Sequence, residues 1–169
     1  MGVFPGTSIT GTGTITLVGS SVYHIDDAVA HGAEVDATTA FNALAALPFT
    51  TDLTSQVLGT GGTVPTLSPN VYKFDSSAEL NGALTLNFSG ASNERFVFQI
   101  GSTLVTDPGS DVLVTGGNST DSVYWEVGSS ATLNTTTDFA GNIIALASIT
   151  LDTGADILQG CSTLAYDLN

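Results

Sequence analysis

Four segments of the chain repeat one pattern, and this repeat constrains the fold more than any other feature. Each segment has apolar residues two positions apart, then a corner of small residues, then a hydroxyl or acidic residue followed by leucine. Two of the alignments need a one-residue gap. The segments are Tyr72–Leu80, Phe98–Leu104, Trp125–Leu133 and Ile144–Leu151. Apolar residues two apart predict strands, and a repeated strand–corner unit is typical of a solenoid.

The spacing of the repeats predicts coils made of short strands. The final leucines lie 24, 29 and 18 residues apart, and the shortest step suffices for a triangular coil of three strands of about six residues each. We expect these leucines to stack as a buried column. The residues before them should form an outward column about 4.8 Å apart, because side chains alternate along a strand. Those outward residues are Glu79, Thr103, Thr132 and Thr150.

Three copies of Thr-Leu-x-Thr fall at the same place in the repeat. Residues three apart lie on opposite faces of a straight strand, so the second threonine joins the first only where the strand bends. One interpretation is simple β-propensity, since threonine suits exposed strand positions. The other is a flat grid of methyl and hydroxyl groups that holds ordered water. The threonines expected on such a face are Thr103, Thr106, Thr132, Thr135, Thr150 and Thr153.

One helical pattern is predicted, from about residue 26 to 47. Asp26 and Asp27 suit its N-terminus, and Pro48 ends it. The small apolar stripe allows close approach to a flat neighbour, which predicts a helix lying along a sheet. The stripe consists of Ala30, Ala33, Ala37, Ala40, Leu44 and Leu47.

Composition limits the partners of the chain. At 169 residues it is predicted to be one domain. Two basic residues against 16 acidic ones give a formal charge of −14, which disfavours nucleic acid because phosphate binding needs clustered Lys and Arg. A membrane partner is not expected, since no apolar run is long enough to span a bilayer. Cys161 is the single cysteine, so an internal disulfide is excluded.

Catalysis is not expected either. The side chains of Asp75, Glu79, Asp107, Asp111 and Asp152 are scattered over turns, away from the two basic residues. Ser/His/Asp arrangements, nucleotide loops and paired Cys/His spacings are missing from the sequence, so neither an enzyme nor a cofactor or metal is predicted. An extracellular adhesive or carbohydrate-binding module stays open as the alternative function.

Six strings of residues resemble the large microbial ice-binding family of antifreeze proteins known as the DUF3494 type. They are residues 2–11, the segment 27–42, Leu67–Phe74, Phe96–Leu104, Val123–Leu133 and Phe139–Leu146. The resemblance implies a mainly β fold, a discontinuous right-handed triangular β-solenoid with one long helix packed along its side. It further implies adsorption to ice through threonine-containing motifs on one flat face, and hence inhibition of ice growth and recrystallisation. By position the resemblance favours the six threonines of the Thr-Leu-x-Thr copies, and it ranks second Thr60 and Thr63 of a Thr-Gly-Gly-Thr motif.

Boundaries and location follow from the same resemblance. We expect a single domain over 1–169, with coils over about 56–169 and an N-terminal segment over 1–22. Family members usually extend further at both ends, so the chain is expected to be shortened and its open coil ends to be capped or to self-associate. No signal-peptide pattern opens the sequence, and a mature or trimmed form of a secreted protein is expected.

Overall fold

The computed structural model of the protein describes residues 2–3, 8–10, 13, 19–158 and 165–167. The chain divides into two compact units, residues 1–40 and 41–169, and the single domain stays a prediction. Parts of the predicted N-terminal segment, the end of the predicted coils and Cys161 lie outside the described residues.

The described residues form one helix and eighteen short strands. In chain order they are β1 (Gly2–Val3), β2 (His24–Ile25), α1 (Ala28–Ala45), β3 (Thr51–Asp52), β4 (Val57–Leu58), β5 (Thr66–Leu67), β6 (Asn70–Phe74), β7 (Ala78–Leu80), β8 (Ala83–Asn87), β9 (Arg95–Ile100), β10 (Leu104–Thr106), β11 (Asp111–Thr115), β12 (Ser122–Val127), β13 (Ser130–Leu133), β14 (Asp138–Ala140), β15 (Asn142–Ala145), β16 (Ser148–Leu151), β17 (Asp156–Leu158) and β18 (Ala165–Asp167).

Three parallel sheets form the sides of a solenoid. The first sheet has the order β18-β15-β12-β9-β6-β3, the second β16-β13-β10-β7-β4, and the third β17-β14-β11-β8-β5. Each coil therefore contributes one strand to each sheet, and every neighbour in a sheet is separated by two strands in the chain. The mainly β solenoid with one helix is thus confirmed. Its coils begin at Thr51, earlier than the predicted residue 56, because the first coil has only two-residue strands with no alternation to read.

The register of the coils needs no gaps. Tyr72 pairs with Phe98, Phe98 with Trp125, and Trp125 with Ile143, in steps of 26, 27 and 18 residues. The shortest step is possible because a single residue, Gly141 at φ 118°, connects β14 to β15, a conformation that favours glycine.

The predicted leucine column is wrong at one position. Leu104 pairs with Ala78 and Ala131, whereas Thr106 occupies the level of Leu80 and Leu133. A gap in the sequence alignment had placed Leu104 at the level of the other leucines, on the assumption that every residue of the inward column is apolar. Burial is also incomplete at the end of the column, where Leu151 is 44% exposed.

The core is filled by the inward residues of all three sheets. Aromatic rings run through it along the first sheet, with Phe98 stacked between Tyr72 and Trp125 at centroid distances of 5.4 and 3.9 Å. The Trp125 indole N–H donates to the carbonyl of Ala140 at 3.1 Å, so this large side chain is buried without an unpaired polar group.

The helix begins at Ala28 and ends at Ala45, two residues inside its predicted bounds at each end. Asp27 is the capping residue, because its carboxylate accepts hydrogen bonds from the amides of Val29 and Ala30. These bonds, led by that of Ala30, together with His24, lower the pKa of Asp27. Asp26 instead lies in the left-handed region at φ 50°. Of the predicted stripe, Ala30, Ala37 and Leu44 are buried while Ala33 is exposed, and the buried Phe41 was missed.

The end of the helix is held by the first sheet. The side-chain amide of Gln99 in β9 donates to the carbonyls of Leu44 at 2.7 Å and Leu47 at 2.9 Å. The Leu44 carbonyl also accepts from the Leu47 amide at 3.2 Å, so the Gln99 side chain adds a second hydrogen bond there and ties the end of the helix and the residue Leu47 beyond it to the first sheet.

Candidate functional site

The outward side chains of the second sheet form two columns of mostly small residues, which we call the hydroxyl face. The first column is Ser77, Thr103, Ser130 and Ser148; the second is Val57, Glu79, Val105, Thr132 and Thr150. Members of a column lie on adjacent parallel strands, about 4.8 Å apart, and the columns lie two residues apart, roughly 6.6 Å. The result is a regular two-dimensional grid.

The hydroxyl face is most regular in its last two coils. Ser130 pairs with Ser148 and Thr132 with Thr150, so four hydroxyl groups occupy the corners of one grid cell. Thr150 lies between the partly buried Ile149 and Leu151, which is 44% exposed, whereas Thr132 lies between the fully buried Ala131 and Leu133. Packing of Ala131 and Leu133 fixes the height and direction of the Thr132 side chain.

Hydrogen bonds link members of the first column. The hydroxyl of Thr103 donates to that of Ser77 at 2.8 Å, and that of Ser148 donates to that of Ser130 at 3.0 Å. Neighbouring coils are therefore connected on the outside of the solenoid as well as through its backbone ladder.

Two of the predicted threonines lie side by side as expected, and a third is displaced. Thr132 and Thr150 are neighbours in the second column. Thr103 also points outward, but it lies in the first column because the predicted register was two residues out. Val105 occupies the place between Glu79 and Thr132 that had been predicted for Thr103.

Thr135 and Thr153 lie where the second sheet turns into the third. Both are exposed in four-residue turns, which begin at Asn134 and Asp152. The bend that the Thr-Leu-x-Thr pattern required is present, and it brings these two threonines to the border of the hydroxyl face. We call them the corner threonines.

Thr106 was predicted as a surface residue, and this prediction is wrong. Its side chain is 0% exposed, since it belongs to the inward column of leucines. The three-residue spacing from Thr103 places it on the opposite face of β10, before the bend.

Thr60 and Thr63 lie in the longer corner of the first coil. Both are exposed, but their hydroxyls serve local contacts. That of Thr60 accepts from the Ala83 amide at 3.1 Å, and that of Thr63 donates to the Gln56 side chain at 2.7 Å. They do not extend either column of the hydroxyl face.

Serine side chains complete the face, and the sequence pattern did not single them out. Ser77, Ser130 and Ser148 were assigned to small-residue corners, whereas Ser130 and Ser148 begin strands. Counting two residues back from Thr132 and Thr150 finds them, because every second residue of a strand shares a face.

The outer side of the first sheet is not available as a flat surface. Its central outward residues Val97, Gln99, Glu126 and Ile144 are at most 8% exposed, while Val71, Lys73 and Tyr124 around them are partly exposed. Gln99 contacts the end of α1 there, as described above.

Glu126 makes this covered side sensitive to pH. Burial raises the pKa of its carboxyl to about 7 from the ordinary 4.5. Between pH 4.5 and about pH 7 the folded chain keeps a proton on Glu126 that the unfolded chain has released. The free energy of unfolding therefore falls as the pH rises through this range. We expect Glu126→Gln to match the parent below about pH 4 and to be more stable at about pH 8, by about 1–2 kcal/mol once partial solvent screening is allowed for.

Urea unfolding of both proteins at the two pH values measures this difference. Glu79→Gln is the control, because it makes the same change of carboxylate to amide at an exposed position. An equal stability of Glu126→Gln and parent at the higher pH would contradict the expectation.

The third sheet carries a different surface. Its outward residues include Asp111, Asp138 and Asp156, which pair in register. Stacked carboxylates are strongly hydrated and repel one another at this spacing. Leu113 is 45% exposed beside them. The second sheet therefore offers the less charged of the two exposed sides.

Across the residues that the structure describes, no group of three or more His, Cys, Asp or Glu side chains is arranged to hold a metal ion. The single helix found among them is not apolar enough over its length to cross a membrane.

Comparisons with known proteins identify the family and the fold of the chain. The profile of the ice-binding-like family matches residues 1–166. An ice-binding protein of Nostoc sp. (strain HG1) is 48% identical over 93% of the chain, which spans 56% of that relative's length. The crystal structure of an ice-binding protein from the Antarctic ascomycete Antarctomyces psychrotrophicus is 40% identical, with a TM-score of 0.82 over 97% of this chain and 80% of that one.

A second crystal structure, of an ice binding protein from an Antarctic biological consortium, is 39% identical. Its TM-score is 0.83 over 98% of this chain and 72% of that one. A profile match over almost the whole sequence, together with relatives of this identity, establishes the ancestry of the chain: it belongs to the ice-binding-like family.

Proposed function

We propose that the chain binds ice through the hydroxyl face and the two corner threonines, and thereby slows ice growth and recrystallisation. The observation that carries the proposal is the paired register of Ser130 with Ser148 and of Thr132 with Thr150. It creates a repeat of hydroxyl and methyl groups in two directions, which a disordered or curved surface cannot offer.

The chemistry of this face suits adsorption to ordered water. Hydroxyl groups anchor water molecules by hydrogen bonds, and bridging water is nearly as favourable as a direct contact. Threonine and valine methyl groups restrict the orientation of their hydration water. Neither group demands the dense hydration shell of a charge, so water at this face can adopt the arrangement of an ice surface. The activity requires no acid, base or cofactor.

Secretion fits this function, since extracellular ice is what such a protein would meet. The large negative charge of −14 favours solubility. Little of this charge lies on the hydroxyl face, where Glu79 is the one charged residue.

The direct test is the growth of a single ice crystal in purified protein. Faceting of the crystal, slowed recrystallisation and a gap between melting and freezing temperatures are the expected results. Disc-shaped growth with no such gap at high protein concentration would contradict the proposal. Bovine serum albumin at the same mass concentration controls for effects of solute alone.

Glu79 should limit the active area. It lies in the second column between Val57 and Val105, and its charge is exposed. We expect Glu79→Thr to extend the grid by one coil and to widen the gap between melting and freezing temperatures. The matched control is Asp36→Thr on the helix, which changes the net charge equally but lies outside the face.

Glu79→Gln separates charge from shape, because it removes the charge and keeps the long side chain. An intermediate gain is expected for it. Unchanged or lower activity of Glu79→Thr would show that ice does not contact this end of the face.

A further inference from the structure

Two buried threonines are hydrogen-bonded to each other at the turn that contains the corner threonine Thr135. Thr106 and Thr137 are both 0% exposed, and their hydroxyl oxygens are 2.7 Å apart. Thr106 stands in a column that is otherwise leucine, at the level of Leu80 and Leu133. A buried hydroxyl is tolerated only when it is hydrogen-bonded. The bond to Thr137 therefore accounts for a threonine at a position where the other coils have leucine.

Thr106 contacts both ends of one exposed turn. The turn runs from Asn134 to Thr137 and is closed by the Thr137 amide, which donates to the Asn134 carbonyl at 3.2 Å. The Asn134 amide donates to the Thr106 hydroxyl at 2.9 Å, and its side chain donates to the Thr106 carbonyl at 2.6 Å. Between these anchored ends lie Thr135 and Thr136, both exposed.

The backbone of this turn is more strained than that of the equivalent turns in the neighbouring coils. The equivalent turns start at Asp107 and Asp152 and place Gly109 and Gly154 at φ 73°. The same position here is Thr136 at φ 57°. A β-branched residue in the left-handed region is strained, and such strain persists only where the surroundings hold it. The two residues that the hydroxyl pair holds, Asn134 through Thr106 and Thr137 itself, flank the strained residue in the turn.

We propose that Thr106 and Thr137 are positioning residues for ice binding, which hold the corner threonine Thr135 level with the hydroxyl face. The inference rests on the proposed function. The pair acts from inside the solenoid and never touches ice; its effect is to keep the strained turn in the one conformation that presents Thr135 at the border of the grid.

The test uses two substitutions of one residue and one control. Thr106→Val keeps the shape of the side chain and removes its hydroxyl, whereas Thr106→Ser keeps the hydroxyl. Val127→Ala is the control, since Val127 is equally buried in the first sheet and its truncation destabilises the solenoid away from the turn. For each protein, hydrogen exchange of the Asn134 amide, the melting temperature and the gap between melting and freezing of ice are measured.

Thr106→Val should speed exchange of the Asn134 amide about tenfold, as loss of one hydrogen bond allows, and should narrow the gap. Thr106→Ser should have the exchange rate of the Asn134 amide and the gap between melting and freezing temperatures of the parent protein. Val127→Ala should lower the melting temperature and leave the gap unchanged, because ice activity is measured far below the melting temperature.

Two results would overturn the positioning role. One is an unchanged gap in Thr106→Val despite faster exchange; the other is an equal narrowing in Val127→Ala at the same loss of melting temperature. Failure of the proposed function is distinguishable, because the parent protein would then show no gap at all, and this inference would fall with it.

Discussion

Thr132→Tyr is expected to remove most of the ice-binding activity and to leave the fold intact. Thr132 lies inside the second column, with Val105 on one side and Thr150 on the other. A tyrosine ring there would stand above its neighbours and keep the rest of the face from close contact, and adsorption depends on shape complementarity. Tyrosine is well tolerated on an outward strand position, so folding should not suffer. Ice-crystal shape and the gap between melting and freezing measure the effect.

The matched control is Thr115→Tyr on the third sheet. Thr115 ends β11, pairs with Asn87 and is exposed, so the same substitution is made on the other accessible side of the solenoid. Activity should survive it. If Thr115→Tyr removes activity while Thr132→Tyr keeps it, ice binds the third sheet and the site has been assigned to the wrong face.

Phe98→Ala should lower the free energy of unfolding by about 3–5 kcal/mol, more than any other substitution proposed for this protein. Its ring lies between those of Tyr72 and Trp125 and is 0% exposed, so removal leaves a cavity in the middle of the aromatic stack. Denaturant unfolding, with the slope compared as well as the midpoint, measures the loss. Phe98→Leu fills part of the space and should lose less. A loss below about 1 kcal/mol for Phe98→Ala would mean that the neighbouring rings collapse into the space.

The coil architecture was predictable because its signal is local. Strings such as Phe98-Gln-Ile-Gly-Ser-Thr and Trp125-Glu-Val-Gly-Ser-Ser contain both the strand period and the corner. The helix was predictable for the same reason, from its periodic stripe and Pro48. Its exact start was not, since two adjacent aspartates are equivalent by composition, and only backbone geometry shows that Asp27 accepts the amides while Asp26 adopts a positive φ.

The site was only partly predictable because register is a property of the stack. Thr106 was placed outside because inward positions were assumed to be apolar. Its partner Thr137 is 31 residues away in sequence, and no local pattern reveals that this partner will satisfy a buried hydroxyl. The same error shifted Thr103 by two residues and left Val105 out of the grid. Serines such as Ser148 were overlooked because small polar residues suit corners and strands alike.

The hydrogen bonds between neighbouring hydroxyls of the face have a consequence for the entropy of adsorption. A surface whose side chains must stop moving when they meet a crystal loses part of its binding free energy to that ordering. Here serine and threonine have a single side-chain torsion to fix, and Ser148–Ser130 and Thr103–Ser77 restrain it before ice is present. The first column therefore has little freedom left to lose, so weak contacts of its hydroxyls with individual water molecules can add up from coil to coil.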